Sequence, residues 1–247
     1  MKASEGSDDE KKNPLGVDGQ YQWPIRIISF LLFAGCVAAN YVVGLETGVI
    51  SNKYILYTTP LNLFFMIWAV IFTTMALANI YNLVKNVWSL PAHIYLGINN
   101  ILLIVWINVF NVGTDAAVYL CFPILVATVV IALKFWIEIG KVEEFDSFTY
   151  ICRNVYAFYL GWIIAATNIN FGIVIKYWWN ASYETQLVIF WVMAPLCAIG
   201  ATVLNTVREG KKGILSCFCL WISVIWAFTG AAIRSNECLT QGTACFD

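Results

Sequence analysis

Residues Tyr156–Asn170 read YAFYLGWIIAATNIN and sit inside an apolar run from about Cys152 to Tyr177. An aromatic shoulder (Tyr156, Phe158, Tyr159) leads into Gly161 and Trp162, two alanines, and then Thr167, Asn168 and Asn170. Gly161 and Ala165 are four apart, so they share one helix face and let another helix approach closely. Asn168 and Asn170 stand where a lipid-facing side chain would be apolar. An amide in hydrocarbon needs a partner, so both are expected to point into the bundle or into a polar cavity. Two readings stand side by side: interhelical hydrogen bonding, or the floor of a ligand pocket.

The chain around this stretch has 247 residues, of which 60% are hydrophobic and 12% charged. Soluble domains carry about 25% charged residues, so the composition is that of an all-α, polytopic membrane bundle. A net charge of -1 gives no case for nucleic acid or another strongly charged partner. The eleven tryptophans and twelve tyrosines are enough to furnish interfacial belts and still leave some for the interior.

Residues 1–24 are polar and mixed in charge (SEGSDDEKK), which predicts a disordered cytosolic tail. They contain no h-region and no cleavage site, so the first apolar helix is expected to be an uncleaved anchor. Seven apolar segments follow, at about 25–45, 60–84, 92–111, 116–137, 149–176, 185–206 and 212–233. Each is long enough to cross about 30 Å of hydrocarbon. Between the third and fourth, NVGTD must turn the chain, and Gly113 and Asp115 suit a turn. Residues 234–247 are expected to form a tail on the far side.

Orientation follows from lysine and arginine. With the N-terminus inside, eleven lie on the inner side, from Lys2 to Lys212, and three (Lys53, Lys176, Arg234) on the outer side. This predicts a cytosolic N-terminus and an extracellular or lumenal C-terminus, in the secretory pathway or plasma membrane. The sequon Asn180-Ala181-Ser182 then falls in an outer loop, where glycosylation is possible. Cys238 and Cys245 fall on the oxidising side, where a disulfide could close a small loop. Cys217-x-Cys219 places its side chains on nearly opposite helix faces and is read as packing.

Several classes are excluded. The orientation opposes that of G-protein-coupled receptors, and the seventh segment holds no lysine for a retinal Schiff base beyond Lys212 at its inner mouth. No acidic residue stands mid-span, which argues against proton-coupled carriers and cation pores. The lone His93, beside Pro91, is read as an interfacial polar residue, with no second histidine to form a metal site. No nucleophile–base pair and no phosphate loop is present, so no enzymatic activity is expected.

The second segment opens with Thr59-Pro60 and continues LNLFFMIWAVIF, and Pro60 is read at its first helical turn, with Phe64 and Trp68 on one face. In the third, Asn99, Leu103, Trp106 and Phe110 recur at helical spacing. Together with the opening stretch, these segments resemble the tryptophan-rich TspO/translocator-protein family. The matching residues are Pro60, Phe64, Phe65 and Trp68 entering helix two, and Trp106 and Phe110 in helix three. The pattern Y-x-x-W-x-x-A-x-x-N of helix five is met by Tyr159, Trp162, Ala165 and Asn168. The family usually places an asparagine three residues before the helix-three tryptophan, where this chain has Leu103, with Asn99 and Asn100 earlier.

The resemblance covers roughly residues 25–175 and implies a five-helix core over 25–176, with two further helices in 177–233. It also implies a pocket enclosed by helices one, two, three and five that takes porphyrins, sterols or other flat hydrophobic ligands, with no cofactor required. The residues that follow from it are Trp68, Trp106, Phe110, Tyr159, Trp162 and Asn168. Aromatic faces for stacking and a few amides for orientation are what such a pocket needs. A sterol-type pattern, Leu77-x3-Tyr81-x3-Lys85, also occurs at an inner helix end. The second function class is a structural or accessory subunit of a larger membrane complex or a homo-oligomer. The small residues of helices six and seven, among them Ala194, Ala198, Gly230 and Ala231, suit such helix contacts.

Overall fold

A computed structural model describes residues 19–44, 46–141, 147–209 and 217–241. The helices are α1 (Gly19–Gly44), α2 (Thr47–Lys53), α3 (Ile67–Lys85), α4 (Leu90–Asn111), α5 (Asp115–Ile139), α6 (Ser147–Tyr177), α7 (Tyr183–Glu209) and α8 (Phe218–Gln241). A 3-10 turn over Asn62–Met66 leads into α3. Among the described residues there is no strand, and seven helices are long and apolar enough to cross a membrane.

Local chemistry sets several boundaries. Asn86 ends α3 in the left-handed conformation at φ 54, which asparagine tolerates better than most residues. The Ser89 hydroxyl then caps α4 by accepting from the Ala92 amide, with Pro91 in the first turn where its missing N–H costs nothing. Gly113, at φ 68, makes the turn between α4 and α5, and Asp115 opens α5 at its positive dipole end.

The opening stretch forms the axis of the bundle. In α6, 89% of the most apolar window is buried, against 17% to 50% in the other six spans. A helix buried all round is the core of its bundle. α3, α5, α7 and α8 pack around α6, while α1 packs on α4 and α4 on α5. The close approach expected at Gly161 is made by α8. A Cβ there would collide with the Leu220 carbonyl oxygen and the Ser223 hydroxyl. Gly230 of α8 likewise admits the Phe64 ring and Pro60, whose atoms would lie 2.6 and 2.9 Å from a Cβ.

The structure departs from the sequence reading at several points. Pro60 is not in a helical turn. It precedes the 3-10 turn, in the irregular segment after α2. The tighter winding of that turn, about three residues per turn, changes which side chains share a face. Phe64 therefore packs on Trp226 of α8, centroids 4.9 Å apart, while Phe65 and Trp68 face the other way. The last span starts at Phe218 and continues as helix to Gln241, because SNECLTQ contains neither glycine nor proline to stop it. Part of the expected N-terminal tail, from Gly19, is the first turn of α1. His93, in the first turn of α4, is buried among side chains, with Nδ1 2.9 Å from the Ser29 hydroxyl. Cys245 lies outside the described residues, so the structure says nothing of its pairing with Cys238.

Candidate ligand-binding cavity

A cavity of about 700 Å³ lies between α1, α2, α3, α4 and α6. Apart from the short α2, these are the first, second, third and fifth spans. Its volume falls in the range of about 300–1,000 Å³ usual for small-molecule sites. Its wall is an aromatic cluster drawn from three helices. Trp68 of α3 stacks on Trp106 of α4 with centroids 6.2 Å apart and planes at 29°. It meets Trp162 of α6 edge-on at 6.1 Å and 87°. Phe65 also abuts Trp162 edge-on at 6.0 Å, and Phe110 extends the wall from Trp106 at the same separation. Such offset and edge-to-face pairs are the arrangements that aromatic quadrupoles favour.

Of the six residues expected to form a pocket, the structure brings Trp68, Trp106, Phe110 and Trp162 to the cavity. Tyr159 and Asn168 lie off its lining. The Tyr159 hydroxyl donates to Asn99 Oδ1 at 3.0 Å, a buried contact that ties α6 to α4. Asn168 Nδ2 donates to the Ile164 carbonyl of its own helix at 2.8 Å. The amide that does line the cavity is Asn170, two residues on and so about 200° around the helix. Asn40, Thr59 and Thr73 add further polar lining from α1, from the segment before the 3-10 turn and from α3. The sequence singles out Asn170 but does not mark these three as lining; their only signal is a polar side chain inside or beside an apolar run.

Three lining residues keep a buried polar atom with no hydrogen-bond partner: Trp106 Nε1, Trp162 Nε1 and Asn170 Oδ1. Buried polar groups are nearly always paired, so these three atoms are unusual, but packing seals each of them from the cavity space.

One end of the cavity is capped in part by α2 and the segment after it, pinned on three sides, with Gly48 and Asn62 exposed there. Thr47 and Asn111 hydrogen-bond across α2 and α4 at 3.2 Å, and Lys53 donates to the Gly113 carbonyl at 3.0 Å. The Tyr54 hydroxyl donates to Asp115. Burial, and then the hydrogen bond to Asp115 and its charge, raise the Tyr54 phenol above its ordinary pKa. Lys176 and Tyr177 at the end of α6 both donate to the Ile55 carbonyl, at 2.8 and 3.1 Å. From α8, Ser235 donates to the Tyr57 carbonyl at 2.7 Å and Trp226 Nε1 to the Phe64 carbonyl at 3.0 Å. No residue of α7 or α8 lines the cavity among the described residues, so α8 acts on it from outside, by bracing this cap and by packing on α6 at Gly161, beside Trp162.

A family model described as TSPO-like protein matches residues 24–246. The chain belongs to that family. The match runs through all seven spans, α7 and α8 included. No curated protein and no solved structure matches the chain. The sterol-type pattern, by contrast, is not part of the cavity: Leu77 is exposed and Tyr81 stacks on Phe148 at 4.4 Å. Among the described residues no cluster of three metal-ligating side chains occurs.

Proposed function

We propose that this TSPO-like membrane protein binds or senses a flat hydrophobic ligand, of the porphyrin or sterol class, in the cavity between α1, α3, α4 and α6, and catalyses no reaction. The observation that carries the reading is the convergence of Trp68, Trp106 and Trp162, from three different helices, on one cavity of about 700 Å³. Ring faces supply dispersion and stacking, and Asn40, Thr73 and, on a side-chain rotation, Asn170 supply orientation. The core of the site is residues 25–176; the helices of 177–233 brace it from outside.

The charge asymmetry supports an N-terminus in the cytosol. The α2 end of the cavity then faces the exterior or lumen, on the same side as Asn180, whose exposed loop position suits a glycosylation acceptor. Tryptophan fluorescence of the purified protein, titrated with protoporphyrin and with sterols, tests the binding reading. Saturable quenching is expected, and its absence for every ligand of both classes would overturn it.

A second reading, an accessory subunit of a larger membrane complex, is favoured by α7. That helix contributes nothing to the cavity and buries only 22% of its most apolar window. Stoichiometric co-purification of another membrane subunit would support it, whereas a monomer carrying bound ligand would support the first reading.

A further inference from the structure

The lining of the cavity carries no aspartate, glutamate, lysine, arginine or histidine among the described residues. Its polar contributions are amides and hydroxyls, from residues such as Asn40, Thr59, Thr73 and Asn170. The nearest charged pair is self-neutralising. Lys53 stands 4.9 Å from the ring of Tyr54, a lining residue, but pairs with Asp115 at 3.8 Å, and Asp115 also accepts from the Tyr54 hydroxyl. Lys176, at the end of α6, is already bonded to the Ile55 carbonyl.

The open side of the cavity has the same character. Its lining residues on α4 and α6 are buried, whereas Tyr41 of α1, Gly48 of α2, Asn62 of the 3-10 turn and Ala69 and Thr73 of α3 are exposed. The opening therefore runs from the α2 end along the α1–α3 boundary to Thr73, about midway along the Asn62–Lys85 span.

We infer that the ligand of this cavity is an uncharged lipophile, and that anionic tetrapyrroles are excluded. The inference rests on the proposed ligand-binding reading and narrows it. A carboxylate carried into this site would lose its hydration without meeting a cation. A hydroxyl or carbonyl meets no such barrier, because the lining amides and hydroxyls can pair with it.

The test uses the full-length protein in nanodiscs and four probes: protoporphyrin IX, its dimethyl ester, cholesterol and cholesterol sulfate. At least one uncharged probe is expected to bind at least tenfold more tightly than its charged counterpart. A ratio below tenfold in both pairs, with saturable binding, would overturn the charge inference and leave the pocket standing. Absence of saturable binding by all four would overturn the pocket itself, and the inference with it. A second variant, Asn40→Lys, places a cation on the lining and is expected to shift the ester-to-diacid ratio at least tenfold toward the diacid. An unchanged ratio would count against the inference. Because both ligands are measured on the same protein, partial loss of folded material does not alter the ratio.

Discussion

Trp68 and Trp162 meet edge to face across the α3–α6 boundary, with centroids 6.1 Å apart and planes at 87°. Trp162 is fully buried and forms the back of the cavity, whereas Trp68 is half-buried and forms its working wall. Trp68→Ala is therefore expected to weaken binding of an uncharged flat ligand by about 1–3 kcal/mol, roughly one to two decades in affinity. Fluorescence titration together with a thermal melt checks this. Equal affinity in wild type and a well-folded variant would remove Trp68 from the site.

The two amides of α6 should separate cleanly. Asn170 lines the cavity and has a partnerless Oδ1 that a side-chain rotation would present to a ligand, while Asn168 lies off the lining. Asn170→Ala should cost about 1 kcal/mol of binding, the usual contribution of one hydrogen bond, and Asn168→Ala should leave affinity unchanged. The reverse order would show that the ligand sits against the other face of α6.

Gly161 and Gly200 make a matched pair for stability. A Cβ at Gly161 runs into the backbone of α8, which cannot rotate out of the way, whereas nothing lies within 4 Å of a Cβ at Gly200. Gly161→Ala is expected to cost about 1–3 kcal/mol despite alanine's better helix propensity. Gly200→Ala should be neutral or gain up to about 1 kcal/mol. Melting temperatures in detergent decide it, and equal stabilities would mean that α8 does not approach as described.

Asn180 is exposed, at φ 53, between α6 and α7. With a cytosolic N-terminus, protein made in a eukaryotic secretory system should gain mobility on glycosidase treatment, and Asn180→Gln should abolish that shift. An N-terminal tag reached only from outside the cell would reverse the orientation.

Hydropathy alone determined the seven spans, because crossing the bilayer imposes a length of apolar chain that no tertiary contact can change. The tryptophan segments were legible too, since Trp68, Trp106 and Trp162 belong to a spaced pattern that marks the family, and the small residue at Gly161 announced a close helix contact. What periodicity cannot supply is a partner. It gives a face of α6 but not that α8, from the far end of the chain, fills it. Nor does it give the rotation of α6 in the bundle, which brings Asn170 to the lining and turns Asn168 away. The 3-10 turn that puts Phe65 rather than Phe64 on the cavity is a local winding that apolar spacing does not encode, and it is held by Trp226 and Gly230 across the fold. The cap over residues 47–55 has little apolar pattern of its own. It exists because Asn111, Gly113, Asp115, Lys176 and Tyr177 converge on it, and only the packed structure brings those five residues together.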